Sequence, residues 1–168
     1  MTSKRLAMFR GGFEKFLEWA VLTLMMALAV VVIVGVGFRK AGAALVWYDE
    51  VASILLAWLT YYAASLAALH RAHIGFPKFV EGTSPAVKRA LVVFREIVVI
   101  GFFVVVAWAG FRVLQILGGT YLVSLPSVPA RVSQSVIPIG ALLFIVAELL
   151  SFADIWPGLK AQGKAEAP

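Results

Sequence analysis

Hydrophobic and charged positions are segregated along this chain. Ala20 to Phe38 carries no charge and Thr23 is its one hydroxyl; Val51 to Leu69 is also uncharged. Ile97 to Leu117 is interrupted only by Arg112 and Gln115, and Val136 to Trp156 only by Glu148 and Asp154 among polar residues that ionise or carry an amide. An apolar run of roughly nineteen residues, at about 1.5 Å rise each, matches the hydrocarbon thickness of a bilayer. The pattern predicts four membrane-spanning helices, at approximately 20–38, 47–69, 97–117 and 136–156.

The connecting stretches hold most of the charge. In MTSKRLAMFRGGFEKFLEWA, Leu6, Phe9, Phe13, Phe16 and Leu17 fall near helical spacing with Lys4, Arg5, Arg10 and Lys15 between them. A basic amphipathic segment of this kind predicts a helix in the interface plane, broken or bent at Gly11-Gly12, ahead of the first span. The first span is no cleavable signal peptide: its apolar run is too long and no small-residue cleavage site follows. The stretch from His70 to Arg95, with Pro77, Gly82 and Pro85, predicts a polar loop holding one or two short surface helices. Gly118-Gly119 ends the third span, and 121–136, with Pro126 and Pro129, is a nearly uncharged connection. Pro138 sits in the first turn of the fourth span, where proline is tolerated. The tail from Pro157 reads as polar and mobile.

Within 47–69 the positions sort by face. Ser53, Ala57, Thr60, Ala64 and Ala67 recur every three or four residues; Val51, Leu55, Trp58, Tyr62, Leu66 and Leu69 form a bulky face. Helices associate in lipid through small residues and hydroxyl hydrogen bonds, so the small stripe reads as a helix–helix contact and the bulky stripe as a lipid face or a second contact. An Ala-rich segment also yields such a stripe by chance.

Composition fixes the class. Of 168 residues, 62% are hydrophobic and 14% charged, with mean hydropathy +0.94, far from the roughly half apolar and quarter charged of soluble domains. The fold class is therefore an all-α integral membrane protein, one domain over residues 1–168. No cysteine is present, which excludes disulfides, thiolate metal sites and cysteine nucleophiles. The formal charge of +6 reads as topological rather than as a nucleic-acid footprint. Eleven of the fifteen Lys and Arg lie on one side of the four-span arrangement and three on the other, with Arg112 inside a span. The positive-inside rule puts the eleven, and both termini, in the cytoplasm.

Ionisable residues inside spans are candidate functional groups. Glu50, one turn into the second span, matches Arg112 in depth; it is expected to pair with Arg112 or Arg39, the alternative being that both charges snorkel to the surface. Trp47 is an interface anchor. Glu148 has no basic residue of its own chain at its depth and is expected to be protonated, hydrogen-bonded within the bundle, or met by a partner; a proton relay is the remaining option. His70 and His73 share a helix face, but with no cysteine and no acid nearer than Glu81 they make a poor metal site. No phosphate-binding glycine loop, nucleophile elbow or catalytic carboxylate pair is visible, so no enzyme activity, metal or cofactor is expected on this chain.

Trp47, Glu50, the run Ala57-Trp58-Leu59-Thr60 and the pair His73-Ile74 resemble the DctQ family, the small membrane subunits of tripartite ATP-independent periplasmic (TRAP) transporters. The recognisable motif lies between Arg39 and Ile74, and the likeness extends over the chain in length and hydropathy. The family often has an acid two residues after the His-Ile pair; here Gly75-Phe76-Pro77 follows. The resemblance implies a scaffold subunit in a bacterial inner membrane, in contact with phospholipids. It implies a large membrane subunit, which carries substrate and Na+, and a periplasmic substrate-binding protein, for sodium-coupled uptake of an organic acid. Arg39, Trp47, Glu50, Ser53, Ala57, Trp58, Thr60, Ala64, His73, Arg112 and Glu148 are then the candidate structural and partner-facing residues. The competing readings are a membrane anchor of a quinone-linked oxidoreductase and a small independent channel or exporter.

Overall fold

A computed structural model describes residues 2–71 and 84–165. They form five helices: α1 (Thr2–Lys40), α2 (Tyr48–Leu69), α3 (Pro85–Ile116), the short α4 (Ala130–Gln134) and α5 (Val136–Ala165). Four helical segments, Lys4–Lys40, Tyr48–Leu69, Ala86–Ile116 and Ala130–Gly158, are long and apolar enough to cross a bilayer, as the hydropathy pattern predicts. The molecule is a multi-pass membrane protein.

Three boundaries depart from the sequence reading. The expected interfacial helix is not separate: α1 runs unbroken through Gly11 and Gly12. A glycine in a helix costs only about 1 kcal/mol relative to alanine. That cost is outweighed here because Phe13 packs on the core and Leu17 is wholly buried within it. The expected surface helices before the third span are replaced, from Pro85 onward, by α3 itself, with Ser84 at the N-cap position and proline at the start. Lys88, Arg89 and Arg95 thus belong to the N-terminal part of a membrane helix. Residues 72–83, which include His73, lie outside the described residues. The tail read as mobile continues α5 to Ala165, past Pro157.

The long helices pack in a row. α1 lies on α2, α2 on α5, and α5 on α3. α5 is the most enclosed, with 50% of its apolar stretch buried, against 6% for α1 and 11% for α2 and α3. The core is made by Leu17, Ala68, Leu69, Phe144, Ala147 and Leu150, with the Phe103 and Phe144 rings stacked 3.8 Å apart between α3 and α5. Small residues set the spacing: a Cβ on Gly140 would lie 2.6 Å from the Tyr61 ring of α2, and one on Gly110 of α3 2.8 Å from the Pro138 ring of α5.

On α2 the chain's own helices cover the bulky face, the second-contact alternative, more than the small one. Its buried residues are Tyr48, Ser65, Ala68 and Leu69. The bulky positions Val51, Leu55, Trp58, Tyr62 and Leu66 are half-buried in contacts of the chain, whereas Ser53, Ala57 and Thr60 of the small stripe are exposed and Ala64 and Ala67 only half-covered. Aromatic contacts carry the packing instead: Trp58 stacks on Tyr62 at 6.2 Å, and Tyr62 meets Phe16 of α1 at 6.3 Å. Hydroxyls on the small stripe are satisfied within α2, Ser53 donating to the Asp49 carbonyl and Thr60 to the Leu56 carbonyl, each at 2.8 Å.

Gly140→Leu should therefore force α2 and α5 apart, costing about 1–3 kcal/mol as overpacking does. Gly101→Ala, where no atom lies within 4 Å, should be neutral or mildly stabilising. Thermal unfolding of the detergent-solubilised chain distinguishes the two substitutions.

Candidate functional site: a buried ion network

At the end of the row where α2 ends and α3 begins, charged side chains from α1, α3 and α5 converge with that of Arg71, just past α2. α2 stops at Leu69, and Arg71 follows with φ +53°, in the left-handed region. A non-glycine residue there costs roughly 1–2 kcal/mol. The conformation turns the Arg71 side chain back into the helix row. Its Nε donates to Ser151 Oγ of α5 at 2.7 Å and its Nη2 to Glu96 Oε1 of α3 at 3.2 Å. Burial, and next the neighbouring Arg95, hold the Arg71 guanidinium below its ordinary pKa, opposed by Glu96, Glu148 and Asp154; a guanidinium stays charged regardless.

Arg95 bridges two acids. Its Nη2 donates to Glu96 Oε1 at 2.9 Å and to Glu148 Oε1 of α5. Glu96, Glu148 and Ser151 are 4%, 3% and 2% exposed, so the two acids are buried, whereas the Arg95 and Asp154 side chains reach the surface. Glu96 Oε2 is enclosed with no hydrogen-bond partner. From α1, Arg10 donates to the Asp154 carboxylate of α5 and, at 3.2 Å, to the carbonyl of Leu69, the last residue of α2. A cation on a terminal carbonyl complements the helix dipole. Three guanidiniums thus meet three carboxylates, and α1, α2, α3 and α5 are all tied into the knot.

Glu148 therefore has a base at its own depth, contrary to the sequence expectation. Arg95 was assigned there to a loop; once α3 starts at Pro85, Arg95 lies three turns into the helix, level with Glu148. Arg10, Arg71, Arg95, Glu96, Ser151 and Asp154 were not singled out by sequence reasoning. The available signal was an adjacent Arg-Glu pair heading one apolar run, with an acid and a serine three residues apart near the end of another.

At the opposite end, Glu50 is satisfied by a loop. It accepts from the Val123 N–H at 3.2 Å, from the Ser124 N–H at 2.8 Å and from Ser124 Oγ. The loop is closed by Leu122 N–H donating to the Val128 carbonyl (3.0 Å) and Ala130 N–H to Thr120 (2.9 Å). The expected pairing of Glu50 with Arg39 or Arg112 does not form, because three loop donors occupy the carboxylate. Arg39 lies over the Tyr48 ring and 3.9 Å from Asp49. Arg112 lies over Trp108 and reaches Gln115 at 3.5 Å. Trp47 is half-buried at the head of α2, its carbonyl accepting the Val51 N–H at 3.1 Å. Trp58 is half-buried, with its indole N–H enclosed and unpartnered. The structure therefore separates the sequence candidates: Glu148 joins the ion network, Glu50 anchors the loop at the opposite end, and Ser53, Ala57 and Thr60 lie on an exposed face between them.

The arrangement presents fixed, mutually neutralised charges that hold helices in register. The family model described as "Tripartite ATP-independent periplasmic transporters, DctQ component" matches residues 28–158. The match covers the last third of α1 and all of α2, α3 and α4, and runs along α5 as far as Gly158. No curated protein matches the chain.

Removing one member of a buried pair strands the other in a medium of low polarity, which costs more than removing both. Arg95→Gln should destabilise the chain more than the Arg95→Gln/Glu148→Gln double variant does. A double-mutant cycle read by thermal unfolding should give a coupling of about 1–3 kcal/mol; additive effects would show that the two side chains are independently solvated.

Proposed function

The chain belongs to the DctQ component family of tripartite ATP-independent periplasmic transporters, and from that premise we propose that this small membrane subunit is a rigid brace for a larger, moving one. The observation that carries the proposal is the exposed small face of α2. Ser53, Ala57 and Thr60 are free of the chain's own helices, while the opposite side of α2 is committed to α1 and α5. Small residues allow close backbone approach in lipid, so this face suits a helix of the large membrane subunit. The inner ion network and the Glu50 loop hold the row in one geometry while that partner moves.

In this reading the large subunit carries the substrate, an organic acid, and the coupling Na+, and a periplasmic binding protein delivers the substrate. The chain resides in the bacterial inner membrane with both termini cytoplasmic, and its basic inner segments lie against anionic phospholipid headgroups.

Ala57→Trp/Thr60→Trp should weaken co-purification with the large subunit by roughly tenfold or more, the equivalent of about 1.4 kcal/mol. It should also depress sodium-dependent uptake in reconstituted vesicles, yet leave the unfolding temperature of the isolated chain unchanged because both positions are exposed. Uptake at full rate by the large subunit and binding protein without this chain, or uptake by this chain alone, would overturn the assignment.

A further inference from the structure

We propose that Glu14, Glu18 and His70 form a binding site for a divalent transition-metal ion of the Zn2+ class, stapling α1 to the inner end of α2. Sequence separation hides the site: His70 follows the last residue of α2, and the two glutamates lie on α1, more than fifty residues away. Glu14 and Glu18 are one helical turn apart, so their side chains rise from the same face of α1. One ligand atom from each of the three residues lies within 4.8 Å of the others.

The distances fit an ion. His70 Nε2 lies 3.3 Å from Glu14 Oε1. A charge-assisted N–H···O bond is usually about 2.7–2.9 Å long. A tetrahedral ion with bonds of about 2.0–2.1 Å to nitrogen and oxygen places its ligand atoms about 3.3 Å apart. Glu18 is exposed, and its carboxylate lies within 4.8 Å of both other ligand atoms.

Charge points the same way. The chain carries a formal +6, yet these two carboxylates share one small patch. Arg10, a turn before Glu14, is engaged by Asp154 and the Leu69 carbonyl. Glu18 has no hydrogen-bond or ion-pair partner among the described residues. Two carboxylates and an imidazole make an N,O2 donor set, which suits borderline divalent ions rather than Ca2+ or Mg2+. The frame is stiff: Leu17 on α1, beside Glu18, and Leu69 on α2, beside His70, are both wholly buried in the core.

The test uses the full-length chain in nanodiscs, stripped with chelator and titrated with Zn2+ or Co2+ alone. One ion should bind per chain, Co2+ should develop the intense visible absorption of a tetrahedral N/O site, and Zn2+ should raise the unfolding temperature. Glu18→Gln and His70→Gln should each weaken binding by at least about tenfold and abolish the absorption band. Asp49→Asn, at the opposite end of α2, should leave binding intact. Each variant's metal-free unfolding curve shows whether it is folded, and Glu18→Gln disturbs no existing contact. Absence of saturable binding to the wild-type chain, or binding that survives both Glu18→Gln and His70→Gln, would overturn the proposal.

Discussion

Charge inside a bilayer must be neutralised, and the architecture of this protein follows from how it meets that constraint. Glu96 and Glu148 lie almost fully buried on neighbouring helices, and an isolated carboxylate in such a place is prohibitively unfavourable. Arg95 spans both acids, Arg71 adopts a disfavoured backbone conformation to reach Glu96 and Ser151, and Arg10 closes the remaining corner on Asp154. Such a network contributes little net stability compared with apolar packing. Its consequence is geometric: a one-turn slip of α5 against α3 would strand the buried Glu148.

That consequence fits a row of helices better than it would a closed bundle. In a bundle every helix has two neighbours to fix its register. Here α1 and α3 are end members, and the hydrophobic effect gives no drive for helix association within lipid. Close approach at Gly140 and Gly110, the stacked Phe103 and Phe144, and the charges at both ends supply the specificity instead. A row also leaves broad faces uncovered, which is what a subunit built to bind another membrane protein requires.

Much of this was legible in the sequence. The four spans followed from uncharged runs of bilayer length, a signal that depends on composition over twenty residues and tolerates error at any one. What failed was local. Gly11-Gly12 looked like a break because a glycine pair is costly in isolation, but Leu17 anchors the same helix one turn later. Arg95 looked like a loop residue because charge density falls off gradually at the head of α3, and that misassignment alone hid the partner of Glu148. The small stripe of α2 was found correctly as a pattern, yet periodicity identifies faces without saying which of them the chain itself covers. Glu50 was rightly picked as a group needing a partner; its partners are backbone N–H groups and a serine, which no charge pattern reveals. Glu14, Glu18 and His70 meet only through tertiary packing.

The account stands on rigidity, and a distance across the row tests it directly. The chain has no native cysteine, so spin labels can be placed at Leu22 on α1 and Val105 on α3, both exposed and on the two end members. Three interhelical spacings of about 8–10 Å each put them within range of pulsed dipolar spectroscopy. In the assembled transporter, a brace gives one narrow distance that is the same with and without sodium and substrate-loaded binding protein. A broad distribution, or a shift on the order of 5 Å, the rise of one helical turn, would show that this subunit moves with the transport cycle and contradict the account.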